Sequence, residues 1–329
     1  MAATPFTDDP THQLRELVRS GRFSDALAWY RRAEGDLAGR PDAQLLAATA
    51  ATRLGEFAVA AALAGEALGR FTARADADGR MRTLNLLGVI GFERGRLADA
   101  EEHLSEALNL AHRLDDSLAA ARACNNLASV VHLRGRPDEA VGLYRGALLS
   151  YQRLGDRRGA AETYHNLGLT FRQLAEYDDA EKAVHQAMRH AEFVGEPGLM
   201  ALASGGRAEL RIEQGDSAFA YPELERAYRL ADRAGDMIGV AEIRRIRALA
   251  ALREGRFELA RDEAEAARAV ADEHGVALLK AECAAVSALA HRALDAWDTA
   301  RSRRAEAVAG FRALGATRLL ERFEADWPA

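Results

Sequence analysis

A period of forty residues runs through this chain and restricts it to a stack of repeated units. A pattern of Gly, four residues and Ala appears at Gly21 to Ala26 and again at Gly55 to Ala60. It returns at Gly95 to Ala100, Gly135 to Ala140, Ala175 to Ala180, Gly215 to Ala220, Gly255 to Ala260 and Asp295 to Ala300. The first step is 34 residues and the next six are 40. A second series, Asp115, Gly155, Gly195, Gly235, Gly275 and Gly315, keeps the same period at an offset of 20. Each unit therefore contains two segments of similar length, each ended by a residue suited to a left-handed helix cap.

Between these marks the periodicity is helical. Leu84, Leu87, Gly88, Gly91 and Phe92 recur at the spacing of one helix face, as do Leu97, Ala100, Leu104, Ala107, Leu108 and Ala111. No segment alternates with period two over a useful length, so the reading is all-α. Helices of roughly 14 to 18 residues would be about 21 to 27 Å long. Small residues form columns forty apart: Gly88, Ala128, Gly168, Ala208, Ala248 and Ala288 on the first helices, with two alanine columns on the second that start at Ala100 and Ala107. A small side chain lets two helix axes approach, and large neighbours such as Leu104 and Tyr144 fill the groove beside it. A single pair cannot bury its apolar faces alone, so the pairs must stack.

Composition agrees with such a stack. The 329 residues are 49% hydrophobic but only 6% aromatic, so the core is built from Ala and Leu. A formal charge of −6 argues against a nucleic-acid binder or a polybasic membrane anchor. The start of the chain lacks a basic stretch followed by an apolar core, which argues against a secretory signal, and no apolar run is long enough for a membrane helix. The only cysteines, Cys124 and Cys283, read as reduced, buried thiols of a cytoplasmic protein.

At this point the residues resemble a known family. A small residue at position 8, Ala at 20 and 27, and a large apolar residue at 24 resemble the tetratricopeptide repeat. Units such as Gly155 to Gly168 are similar to its forty-residue variety, found in kinesin light chain, Pins-type scaffolds and bacterial regulators. The resemblance covers residues 7–320 as eight units, near 7–40, 41–80, 81–120, 121–160, 161–200, 201–240, 241–280 and 281–320, with a tail at 1–6 and a C-terminal cap at 321–329. It is best over 81–200; Ala47 and Arg304 depart from the pattern. It implies a right-handed α-solenoid whose first helices line a concave groove that binds a segment of another protein. Asn126 and Asn166 match the position at which such repeats hold a ligand backbone; Asn85 and Asn125 sit one residue earlier.

With first helices facing the groove, the candidate peptide contacts in units three to five are Arg82, Asn85, Arg122, Asn125, Asn126 and Ser129, followed by His132, Glu162, His165, Asn166, Arg172 and Gln173. Asn and His are poor helix formers, and an amide both donates and accepts, as a peptide backbone requires. The competing reading is an inter-repeat hydrogen-bond ladder. Arg82, Arg122 and Arg172 would meet a partner's carboxylates, or form a wall partly neutralised by Glu93 and Glu162. His132 and His165 read as hydrogen-bonded groove residues, since no ligand set for a metal accompanies them.

Unit six departs from the rules. Gly205 and Gly206 fall mid-helix, Arg207 takes a leucine column and Pro222 follows a helix start near Asp216, which suggests a flexible joint or a helix beginning later, near Tyr221. The arginines at 244, 245, 247, 301, 303 and 304 read as solvated faces or inter-repeat pairs. No nucleophile elbow, phosphate loop or dinucleotide pattern is present, so no enzyme and no cofactor is expected. The expected function is a cytoplasmic, non-catalytic scaffold that binds another protein or peptide, compatible with self-association. The alternatives are a peptide-sensing regulator that changes superhelix pitch and an RNA-binding helical repeat.

Overall fold

The computed structural model describes residues 10–37 and 39–327; the expected tail at 1–6 lies outside them. Among the described residues all regular structure is helical. The chain begins with α1 (Pro10–Arg19), α2 (Phe23–Arg32) and a single turn, α3 (Glu34–Leu37). Paired helices follow: α4 (Pro41–Arg53) with α5 (Phe57–Ala73), α6 (Ala77–Glu93) with α7 (Leu97–Arg113), and α8 (Ser117–Leu133) with α9 (Pro137–Leu154). Next come α10 (Arg157–Gln173) with α11 (Tyr177–Val194), and α12 (Pro197–Glu213) with α13 (Ser217–Arg233). The last pairs are α14 (Met237–Arg253) with α15 (Phe257–His274), and α16 (Ala277–Ala293) with α17 (Trp297–Leu314); α18 (Thr317–Asp326) stands alone at the end. The result is an α-solenoid. First helices start about four residues before the boundaries read from the sequence.

Both twenty-residue series of helix ends adopt left-handed backbone, and the register extends one step earlier than the sequence showed, to Ala75 at φ +53°. Apart from the end at Gly195, these ends close in the same way: Asp156 N–H donates to Tyr151 C=O at 3.0 Å, and Glu176 N–H to Phe171 C=O at 2.9 Å. These bonds span five residues and satisfy carbonyls that the helix leaves open. Four first helices, α6, α8, α10 and α14, also share a start signal. The carboxylates of Asp76, Asp116, Asp156 and Asp236 accept from backbone N–H groups two or three residues on, at 2.8 to 3.1 Å.

The columns of small residues are the contact surface. Ala100, Ala140, Ala180, Ala220, Ala260 and Ala300 are all completely buried, as are Ala128, Ala208, Ala248 and Ala288. A Cβ at Gly88 would lie 2.4 Å from Leu104 Cγ, and one at Gly168 3.0 Å from Val184 Cγ2. Unit six is packed in the same way. A Cβ at Gly205 would approach Ile243 Cδ1 to 2.8 Å, and one at Gly206 would approach His165 Nδ1 to 2.7 Å. These glycines admit neighbouring side chains against the α12 backbone, so the argument for a flexible joint loses its basis. Nor does α13 start late: it begins at Ser217 and carries Pro222 within it.

The stack curls until its two ends meet. Buried residues of α1 to α6 form one cluster with Ala241, Ala267, Ala271, Val276, Leu279 and Cys283. The two sides touch at backbone distance: a Cβ on Gly95 would meet Leu314 Cδ2 at 2.7 Å and Ala277 Cβ at 2.9 Å, and one on Gly55 would meet Ile238 Cδ1 at 3.1 Å. The C-terminal segment, expected as a cap from 321, is helical from Thr317. Its Phe323 is buried between Phe311 and Trp327, with ring centroids 6.3 Å away in each case.

Ala175 occupies a slot with φ +60°, where a Cβ costs about 1–2 kcal/mol. Ala175→Gly is therefore expected to raise stability by about 1 kcal/mol in denaturant unfolding, and Gly155→Ala, at φ +71°, to lower it by a similar amount.

Candidate functional site

Because the solenoid closes on itself, its concave wall becomes a lumen. The lumen has two compartments, an open cleft of about 1100 Å³ and a deeper cavity of about 250 Å³. The twelve candidate residues divide evenly between them. Arg82, Asn85, Arg122, Asn125, Asn126 and Glu162 line the cleft, facing Leu199 and Leu202 of α12. Ser129, His132, His165, Asn166, Arg172 and Gln173 line the cavity. The division follows helix geometry: residues near the starts of α6, α8 and α10 face the wide end, and those about two turns later face the narrow end.

The asparagines form a ladder across three repeats. Asn126 Nδ2 donates to Asn85 Oδ1 at 3.2 Å, Asn125 Nδ2 to Asn126 Oδ1 at 3.3 Å, and Asn166 Nδ2 to Asn125 Oδ1 at 3.3 Å. The ladder reading of these residues is thus realised. Each amide keeps further hydrogen-bonding capacity, since Asn carries two donor hydrogens and two acceptor lone pairs. Ser129 Oγ lies 2.9 Å from the hydroxyl of the buried Tyr144.

The three arginines differ. Arg82 pairs with Asp78 at 2.9 Å and with Asp42 at 3.4 Å. Arg122 is exposed and has no ion pair among the described residues. Arg172 is not available to a partner's carboxylate: its Nη1 lies 2.8 Å from Glu213 and 3.1 Å from Glu209, and its side chain is 9% exposed. Neither Glu93 nor Glu162 neutralises it. Glu209 bonds Arg245 as well, at 2.9 Å, and Arg322 of α18 reaches Glu213 at 2.5 Å. Burial pushes the Glu209 carboxyl up, but Arg172 and Arg245 outweigh this and hold it at about 2. Removing one member of such a buried network strands the others, which typically costs several kcal/mol. Two of the remaining arginines form pairs between helices: Arg247 meets Glu263 at 3.1 Å, and Arg303 grips Glu265 through two nitrogens at 2.6 and 3.0 Å. Arg301 instead pairs with Asp298 of its own helix, and Arg304 lies over Trp327.

The histidines were expected to be hydrogen-bonded. Both ring nitrogens of His132 are buried, and neither makes a hydrogen bond of good geometry, although the side chain of Gln173 lies beside the ring. Burial, with Arg172 and Arg318 nearby, brings its pKa down to about 4. Burial does the same to His165, where Arg172 adds to the effect and Glu209 opposes it. Both imidazoles are therefore neutral at pH 7. Among the described residues no cluster of His, Cys, Asp or Glu is arranged to hold a metal.

Glu93, which the sequence offers only as a neutralising charge on the groove wall, behaves differently. Burial raises the Glu93 carboxyl of α6 to about 7, and Glu242 and Asp236 of α14, across the lumen, add repulsion. Burial raises Glu282 to about 7 as well, with Arg245 opposing and Glu242 and Glu209 reinforcing it. A carboxyl with a raised folded pKa takes up a proton on folding, so stability falls as pH rises from about 4.5 to 7. The depressed histidines act oppositely, adding stability as pH rises from about 4 to 6.5. Glu93→Gln separates the two. It should raise the melting temperature at pH 8 by about 2–4 °C for each kcal/mol of repulsion removed, and leave it unchanged at pH 4.5.

With this geometry in hand, comparison with known proteins is informative. The model of the tetratricopeptide repeat matches residues 79–148 and 119–192. No curated protein matches the sequence. Among solved structures, a Rap protein complexed with Competence and Sporulation Factor is similar at TM-score 0.79 and 14% identity, covering 95% of this chain and 89% of that one. The Rap conjugation gene regulator of plasmid pLS20, in complex with a Phr peptide, is similar at TM-score 0.69 and 14% identity, with 100% of both chains covered. NprR in complex with its cognate peptide NprX is similar at TM-score 0.63 and 11% identity, covering 90% of this chain and 87% of that one. At these identities the likeness is one of fold. The chain is thus built on tetratricopeptide repeats at residues 79–192, set in a solenoid that continues the same helix pair to either side.

Proposed function

We propose that the chain is a non-catalytic peptide receptor that takes an extended segment of another protein, or a short free peptide, into the cleft of its lumen. The observation that carries this reading is the cleft itself. At about 1100 Å³ it stands at the top of the range of small-molecule sites, about 300–1000 Å³, and has room for a peptide segment. Its wall offers amide groups at repeat spacing and an unpaired guanidinium at Arg122. A peptide backbone presents paired donors and acceptors that the ladder of Asn85, Asn125, Asn126 and Asn166 can extend. Three structures of similar fold are described as complexes with short peptides or a signalling factor, which supports the same reading.

Closure favours a regulator over a static scaffold. The two sides of the closure rest on each other where Gly55 meets His274 and Ile238 and where Gly95 meets Leu314 and Ala277. A peptide in the cleft touches both sides, so its binding energy acts on the spacing between them. Binding that differs between open and closed states shifts their populations. The outer faces of the second helices would then report the change to a second partner. A cytoplasmic location belongs to this reading; the structure adds that no helix of the described residues is long and apolar enough to cross a membrane.

The test is an array of immobilised ten-residue peptides probed with the wild-type chain and with Arg122→Glu. Arg122 has no structural partner, so the melting temperature should not change. A discrete set of peptides is expected to bind the wild type, and those with acidic residues to lose at least tenfold in the variant. Small-angle scattering with a bound peptide should show a change in maximum dimension. Absence of any bound peptide, or identical binding by both proteins, would contradict the proposal.

A further inference from the structure

The inner cavity is chemically unlike the cleft. Its volume, about 250 Å³, exceeds the roughly 150 Å³ that accommodates benzene in a dry cavity. Apolar side chains, Phe92, Leu133, Leu169, Leu278 and Leu319, supply much of its wall. Its polar atoms are mostly paired within the protein, as described for Arg172, Glu209 and Arg245. Two groups are left over. The Nε–H of Arg172, a side chain 9% exposed, has no acceptor, and the buried ring nitrogens of His132 have no partner in good hydrogen-bond geometry, although the side chain of Gln173 lies beside the ring. Such orphans are uncommon in folded proteins and costly when left unmet. Arg172 and His132 line the same cavity.

These orphans define the guest. One is a donor, and a neutral imidazole supplies one donor and one acceptor. A group that both accepts and donates through a single oxygen satisfies the Arg172 donor and the imidazole's acceptor nitrogen together. A charged guest is disfavoured in either sign: an anion would face Glu209, Glu242 and Glu282, and a cation would face Arg172 and Arg245. An indole can donate but cannot accept from Arg172, and a phenyl ring can do neither. A phenol has the right size, the right faces and the right oxygen. Access is from the cleft, because Gly198, Leu202 and Asp236 line both compartments.

The geometry points to the inner cavity as an anchor pocket for a tyrosine side chain of the peptide held in the cleft, its ring against Leu169 and Leu278 and its hydroxyl between Arg172 Nε and the His132 imidazole. This rests on the peptide reading and narrows it: the ligand carries a tyrosine, and that residue inserts into the cavity as the backbone runs along the asparagine ladder. His132 is a specificity residue here, because it distinguishes the hydroxyl from a bare ring. His165 and Tyr144 line the same cavity but are held by the packing of Gly206 and by Ser129.

The experiment titrates the full chain with acetyl-Gly-Tyr-Gly-amide and its Phe, Trp, Arg and Ala analogues, followed by NMR. The tyrosine peptide is expected to bind at least tenfold more tightly than any other. His132→Phe keeps the volume and removes both orphan nitrogens, so the variant should fold with an equal or higher melting temperature. It should bind the tyrosine and phenylalanine peptides equally. Leu169→Trp, which fills the cavity, should abolish binding of both. Equal binding of the tyrosine and phenylalanine peptides to the wild type would overturn the assignment, as would a tyrosine preference that survives His132→Phe. Binding of free p-cresol without the tyrosine tripeptide would also overturn it, by showing a cavity closed to the cleft. If the ten-residue peptides of the array fail while the tripeptide binds in a His132-dependent way, the cleft reading falls and the pocket stands. The reverse pattern removes the pocket alone.

Discussion

Close approach of helices at columns of alanine and glycine is the contact on which the rest of this structure depends. Ala140, Ala180, Ala220 and Ala260 have no exposed surface, and Gly88 and Gly168 leave no room for a methyl group. A small residue in the same slot of each unit fixes one packing distance throughout the stack. Identical packing steps accumulate into constant curvature. Over eight pairs that curvature carries Gly95 onto Leu314 and Ala277, and Gly55 onto Ile238. The lumen is therefore a consequence of side-chain size, and its chemistry a consequence of what the first helices place on the inner wall.

Enclosure changes what charged residues do. On an open groove, Arg172 and Arg245 would be solvated and their ion pairs would contribute little. Inside a closed turn they share Glu209, Arg172 also meets Glu213, which Arg322 reaches, and the network ties α10, α12 and α14 to α18. The same enclosure brings Glu93 of α6 within the repulsive field of Glu242 and Asp236. Favourable and unfavourable charges thus coexist across one cavity. The closed state is held by apolar contacts and the arginine network, and is opposed by the acidic groups above neutral pH. A state balanced in this way can respond to a ligand.

Much of the fold could be read from the chain because a forty-residue register is a one-dimensional signal. The glycine and aspartate slots, the three small-residue columns and the absence of strands all carry it. The aspartate caps at 76, 116, 156 and 236 followed the same register and went unread, although N-cap chemistry marks them. Ala75 was hidden because alanine gives no sign of a left-handed conformation. The candidate residues of α6, α8 and α10 share the face that lines the lumen. What the sequence could not convey was closure, since it depends on curvature summed over all units. Without closure Arg172 looks like a groove cation, Gly205 and Gly206 look like a joint, and Glu93 looks like an ordinary solvated carboxylate.

The most direct measurement is a spin-label distance across the closure, between labels at positions 94 and 312 in a chain whose Cys124 and Cys283 are replaced by Ala. Both positions are exposed and adjoin the contact of Gly95 with Leu314. If the alanine columns set the curvature, the parent chain gives a single short distance. Ala180→Leu, made midway along the stack, should then lengthen or broaden it while the helix content is retained. An unchanged short distance in a folded Ala180→Leu chain would contradict the claim that close packing at these columns closes the solenoid.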